Sequence, residues 1–143
     1  MESQPTLTDM MTAYAQDAVD HAKSSSDITL DYSLESVRRV EQVLERLYTA
    51  VPRGVLGRLF GRGPSAQGLL TMSKMYGGYV GEVLRRAAGG EWDIDTEVVP
   101  GQNTVCLRKG ENRIWPPSKV HKRLTNGPED NVWYYSQVIL KDW

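Results

Sequence analysis

The chain of 143 residues has one cysteine, one phenylalanine and two histidines. Cys106 alone can close no internal disulfide, and no thiolate cluster within one chain can hold a metal. His21 and His121 stand far apart in sequence with no ligand-like neighbours, so no metal and no cofactor is expected. The strings G-x-S-x-G and H-E-x-x-H and the Walker phosphate loop are all missing, and with them the best-marked nucleophile, zinc and nucleotide chemistries. No apolar run approaches the ~20 residues that a bilayer span requires. The opening residues mix acids and polar groups instead of forming the apolar core of a signal peptide. A cytoplasmic location is expected. The net charge of −1 also lacks the strong basic excess of a general nucleic-acid binder.

What is present describes an ordinary globular chain, 40% hydrophobic and 24% charged, of a length that one core can serve. One domain over 1–143 is expected. Its charge is uneven: the first 35 residues hold seven acids against one base, Lys23. Leu7, Met11, Tyr14, Ala15, Ala18 and Ala22 recur at helical spacing, which predicts an acidic N-terminal helix within residues 1–26, interrupted near "KSSSD". Ser33 then offers an N-cap to a second helix, whose stripe of Val37, Val40, Val43, Leu44 and Leu47 opposes Arg38, Arg39 and Glu41. Residues 51–64 form a Gly/Arg connector with Arg53, Arg58 and Arg62 around Leu59 and Phe60. A third helix is expected from about Ser65 to Ala88, closed by Gly89-Gly90.

From Glu91 the period changes to two. Trp92, Ile94, Thr96 and Val98 alternate with Asp93, Asp95 and Glu97, the pattern of a strand with one wet face. "PGQN" turns the chain, Val105–Arg108 return, "KGEN" turns again, and Arg113–Trp115 suggest a short third strand. Pro116-Pro117 open a helix that "NGP" stops, and the closing "VWYYSQVILKDW" favours helix over strand. The expected fold class is α+β: long helices packed on a small antiparallel sheet, with shorter C-terminal helices.

The third helix contains Gly77, Gly78 and Gly81 in "YGGYVGEVLRR", each costing about 0.5–1 kcal/mol relative to alanine. A phosphate cradle would place such glycines between a strand and a helix start. Here they lie mid-helix, with Gly77 and Gly81 on one face, and close approach of the first or second helix is the expectation. "YGGYVGEVLRR…GGEW", "WPPSKVHKRLTNGPEDNV" and "LDYSLESVRRVEQVL" together resemble a bacterial domain family of unknown function, over roughly Leu30 to Val132. Such domains are loosely similar to immunity-type proteins that neutralise toxins. The resemblance implies a structural pattern and brings no catalytic mechanism.

Candidate sites follow from charge and aromaticity. Asp9, Asp17 and Asp20 would give the first helix an acidic surface suited to a basic cleft in a protein partner. Arg58, Phe60, Trp115, Lys119, Lys122 and Arg123 would form a second, basic and aromatic surface of the kind that interfaces use. The expectation is a non-enzymatic protein-binding domain, an immunity-type inhibitor of a partner toxin or enzyme. Neither a membrane nor nucleic acid is expected as its partner. The alternative is an enzyme or small-ligand module with a pocket near Tyr79, Glu82 and Trp92, where burial would raise the Glu82 pKa toward that of a general base. Asp93, Asp95 and Glu97 would suit a hard cation, but strand alternation alone already accounts for them, and Asp93 is expected opposite Arg108.

Overall fold

Residues 4–50, 66–98 and 104–143 are described by the computed structural model. Helix α1 spans Leu7–Ser26. Thr6 caps it reciprocally: its Oγ1 accepts from the Asp9 N–H at 3.1 Å, and the Asp9 carboxylate accepts from the Thr6 N–H at 3.0 Å. The helix continues through the serine run that was expected to break it. Ser24 and Ser25 turn their hydroxyls back onto the His21 carbonyl, and Lys23 pairs with Asp27 at 2.7 Å. Asp27, at φ 52°, ends it in a left-handed cap.

Helix α2, Ser36–Ala50, starts where the Ser33 hydroxyl accepts the Ser36 N–H. Helix α3, Ala66–Ala88, is the centre of the molecule, with every residue from Met75 to Leu84 buried. A helix covered on all sides must be small or apolar nearly all round, and this one is. Strands β1 (Glu91–Asp95), β2 (Thr104–Lys109) and β3 (Asn112–Ile114) form an antiparallel sheet in that order. Helix α4 (Pro116–Asn126), a short 3₁₀ turn (Pro128–Asp130) and helix α5 (Val132–Asp142) complete the described chain. The fold is α+β, and the C-terminal segment is helical.

Two expectations about packing need correction. Gly77 and Gly81 do share a face, but their neighbours are not helices α1 and α2. A Cβ on Gly77 would lie 2.3 Å from the Pro117 Cα, and one on Gly81 would lie 2.1 Å from the Trp92 ring. Gly78 is the glycine against α1, where an added Cβ would lie 3.1 Å from the Met11 carbonyl oxygen. The strand from Trp92 is also shorter than its alternation suggested. It stops at Asp95 because that carboxylate takes the Glu97 N–H at 2.8 Å and turns the chain, burying Asp95 and leaving Ile94 exposed. Trp92, Leu107 and Ile114 form the inner sheet face and join one core with α1 to α5.

Candidate functional site

Glu82 sits on α3, fully buried, where three elements meet. Arg85, one turn on, donates to it from Nε at 2.6 Å and Nη2 at 3.0 Å. The Trp92 indole N–H of β1 donates at 2.9 Å, and the Thr12 hydroxyl of α1 approaches to 3.5 Å. Burial pushes the Glu82 pKa up. The Arg85 and Trp92 hydrogen bonds and the charges of Arg85 and Arg86 outweigh it, and hold the carboxyl below its ordinary value. This reverses the expected direction. The carboxylate stays ionised with both oxygens occupied, which suits an anchor for arginine and not a general base.

Tyr79, one turn earlier, faces elsewhere. Its hydroxyl accepts the Tyr32 N–H at 2.7 Å and shares a 2.6 Å hydrogen bond with Ser36. Tyr79, Glu82 and Trp92 are therefore all buried and polar-satisfied, but they do not converge on one cavity: Glu82 and Trp92 touch, while Tyr79 ties the α1–α2 loop to α3. Tyr32 itself has φ 64°, a left-handed backbone that bulky residues rarely adopt. Its ring lies 4.8 Å from that of Tyr79, and the Arg86 guanidinium sits 3.8 Å over it.

The acidic helix presents its charge outward. Met11, Ala15, Ala18 and Ala22 form its buried side, while Asp9, Asp17 and Asp20 are exposed. Asp9 doubles as a cap, and the Asp20 carboxylate accepts from Gln16 at 3.1 Å. Of the six residues of the expected basic surface, four are described. Arg58 and Phe60 lie outside the described residues. Arg123 turns inward, wholly buried, donating to both oxygens of Glu41 and to Glu45. A guanidinium between two carboxylates of α2 is no longer a surface group. Lys119 pairs with Asp130 at 3.0 Å, and Lys122 is exposed with its charge acting on the same Asp130. The Trp115 indole N–H donates to Asp95 at 3.2 Å, leaving the ring half-buried.

The outer sheet face is likewise self-paired. The register sets Glu91, not Asp93, opposite Arg108, yet Arg108 reaches diagonally to Asp93 at 3.0 Å. Arg113 lies 3.6 Å from Asp95 and 3.9 Å from Glu97. Among the described residues no group of acids, histidines or cysteine is arranged to hold a metal ion. Cys106 is buried beneath these charges, and burial, then Asp93 and Asp95, push its thiol up, the opposite of an activated nucleophile. Between this face and α5 runs an open groove of about 790 Å³ lined in part by Arg108, Arg113, Trp115, Ile139 and Trp143. No described helix is long and apolar enough to cross a membrane.

Comparison of the chain with protein-family models, with curated proteins and with solved structures gives no match. The sequence reading missed the Tyr32–Arg86 pair. The dipeptide "DY" carries no mark of a left-handed backbone, and Arg86, one turn after Glu82, reads in sequence as part of the same helical ion pairing as Arg85.

Proposed function

We propose that the chain is a non-enzymatic protein-binding domain, an immunity-type inhibitor that covers a basic cleft of a partner enzyme with the outer face of α1. One observation carries this: α1 docks on α3 through alanines, so Asp17 and Asp20 are left facing solvent and form no ion pair among the described residues. At 100° per residue, Met10, Ala13, Asp17 and Asp20 fall on one exposed stripe. Met10, 48% exposed, supplies an apolar contact within it. Carboxylates arranged this way steer a basic partner and raise the association rate, while the buried methylene surface slows release. The inward turn of Arg123 and the pairing of Lys119 weaken the rival basic surface.

The test is affinity capture from the source cells with the native chain and with Asp17→Lys/Asp20→Lys. The native chain is expected to retain one polypeptide in near-equal amount, released by high salt, whose activity falls when this chain is added back. The reversed variant should retain none at unchanged helicity. Equal capture by both chains, or a captured enzyme whose activity does not change, overturns the proposal.

A further inference from the structure

Arg86 is the arginine of the Glu82 cluster that acts on the carboxylate by charge alone and makes no hydrogen bond to it. Glu82 already accepts from Arg85, Trp92 and Thr12, and the Arg86 Nη2 stands 3.7 Å away, at ion-pair but not hydrogen-bond distance. Arg86 makes no hydrogen bond among the described residues, and its side chain is 43% exposed. It is nevertheless held in place, because its guanidinium lies 3.8 Å over the Tyr32 ring.

That ring is held at a cost. Tyr32 has a positive φ, which in a bulky residue persists only where the surroundings over-determine it. Here the Tyr79 hydroxyl fixes the Tyr32 N–H at 2.7 Å and is itself fixed by Ser36 at 2.6 Å. A strained aromatic thus backs an arginine whose N–H donors make no hydrogen bond among the described residues. Stacking occupies the face of a guanidinium and leaves its donors in the plane, the arrangement that takes two oxygens of one carboxylate or phosphate.

We propose that Arg86 and Tyr32 form an oxyanion-binding site for a ligand that bears a carboxylate or phosphate group. Glu82 and Asp20 are the acids that act on Tyr32, and Arg85 is spent on Glu82, so the local field is close to balanced. Recognition rests on the fixed geometry of one guanidinium more than on bulk positive charge.

The experiment follows the Tyr32 backbone amide and the Arg86 Nε–H by nuclear magnetic resonance during titration with inorganic phosphate, and separately with acetate. Chloride holds the ionic strength constant. A saturable shift with either anion supports the site, and the anion that produces it names the group recognised. Arg86→Lys keeps the charge but loses the planar fork, and should weaken saturation by about tenfold, read at Tyr32. Tyr32→Gly removes the ring and relieves the positive φ, so it should weaken binding in a chain that remains folded. Shifts that never saturate, or saturation unchanged in Arg86→Lys, mean an adventitious ion only and overturn the proposal. No protein partner enters this readout, so it stands or falls apart from the α1 surface.

Discussion

Glu82 and Arg123 are both fully buried and opposite in charge, and the molecule answers them in different ways. Glu82 is neutralised from its own helix by Arg85 at i+3, a side chain still one-third exposed. Its counter-charge reaches water, and the cluster is local. Arg123 draws its counter-charges from far along the chain, Glu41 and Glu45 on α2, and Glu41 also accepts the Val132 N–H at 2.9 Å. One guanidinium therefore joins α4 to α2, while its first carboxylate joins α2 to α5. Its Nη1 has no hydrogen-bond partner among the described residues, and the Tyr48 ring lies 5.7 Å from Cζ. Burial opposes the Arg123 charge, but the two carboxylates hold its pKa above the ordinary value. The charge pairing of the first cluster lies within one helix, although neutral donors reach it from β1 and α1; the charge pairing of the second joins elements to one another.

The largest effect is expected where the difference is sharpest. Arg123→Ala removes the cation that, among the described residues, pairs with both Glu41 and Glu45, which stand at i and i+4 on one face, and should cost about 3–5 kcal/mol, the range for breaking a buried pair. Glu41→Gln, which keeps an acceptor for the Val132 N–H, should cost clearly less. Urea denaturation of both variants checks the order, and equal losses would show that Glu45 alone does not hold Arg123 once the Glu41 charge is gone. Next comes Gly81→Ala. The added methyl overlaps the Trp92 ring and dislodges the indole that donates to Glu82, so overpacking and a lost hydrogen bond together should cost about 3 kcal/mol. Gly78→Ala meets the Met11 carbonyl oxygen at 3.1 Å and the Tyr14 Cβ at 3.2 Å, and about 1 kcal/mol of helix propensity offsets those tight contacts. Melting curves should show Gly81→Ala well below the native chain and Gly78→Ala close to it.

The same contrast explains how far the sequence could be read. Local chemistry was legible: the alanine stripe of α1, the valine stripe of α2, the Pro116 start and Gly127 stop of α4, and the Glu82–Arg85 spacing all act within a few residues. Arg123 was not, because nothing near it in sequence says that Glu41 lies within hydrogen-bonding distance after folding. The glycines fall between. Their spacing announced a close approach, but the approaching groups, Pro117 and the Trp92 ring, come from later in the chain than the helices that seemed the natural candidates. Of the candidate site, the acids of α1 were readable as exposed because the buried stripe opposite them was readable. Tyr32 was not, since a left-handed tyrosine is imposed by the Tyr79 hydroxyl and has no signature of its own.

A further effect, smaller than those of Arg123→Ala and Gly81→Ala, depends on pH. Glu82→Gln preserves the shape of the side chain and one acceptor oxygen, but it turns an amide toward groups that donate. Arg85 can recover hydration at its exposed side, so the loss at neutral pH should be about 1–2 kcal/mol, well short of that for Arg123→Ala. The sign of the pH dependence follows from the depressed pKa. The native carboxylate contributes its full stabilisation above its ordinary value near 4.5, and loses it as the pH falls through the lower folded value. Once protonated, Glu82 resembles glutamine in charge, so the stability difference between native chain and variant should shrink toward zero on acidification. Denaturation series at stepped pH measure that difference directly. A gap that stays constant from neutral to acid would mean that Glu82 acts through its shape alone, and would remove the charge from the first half of the comparison.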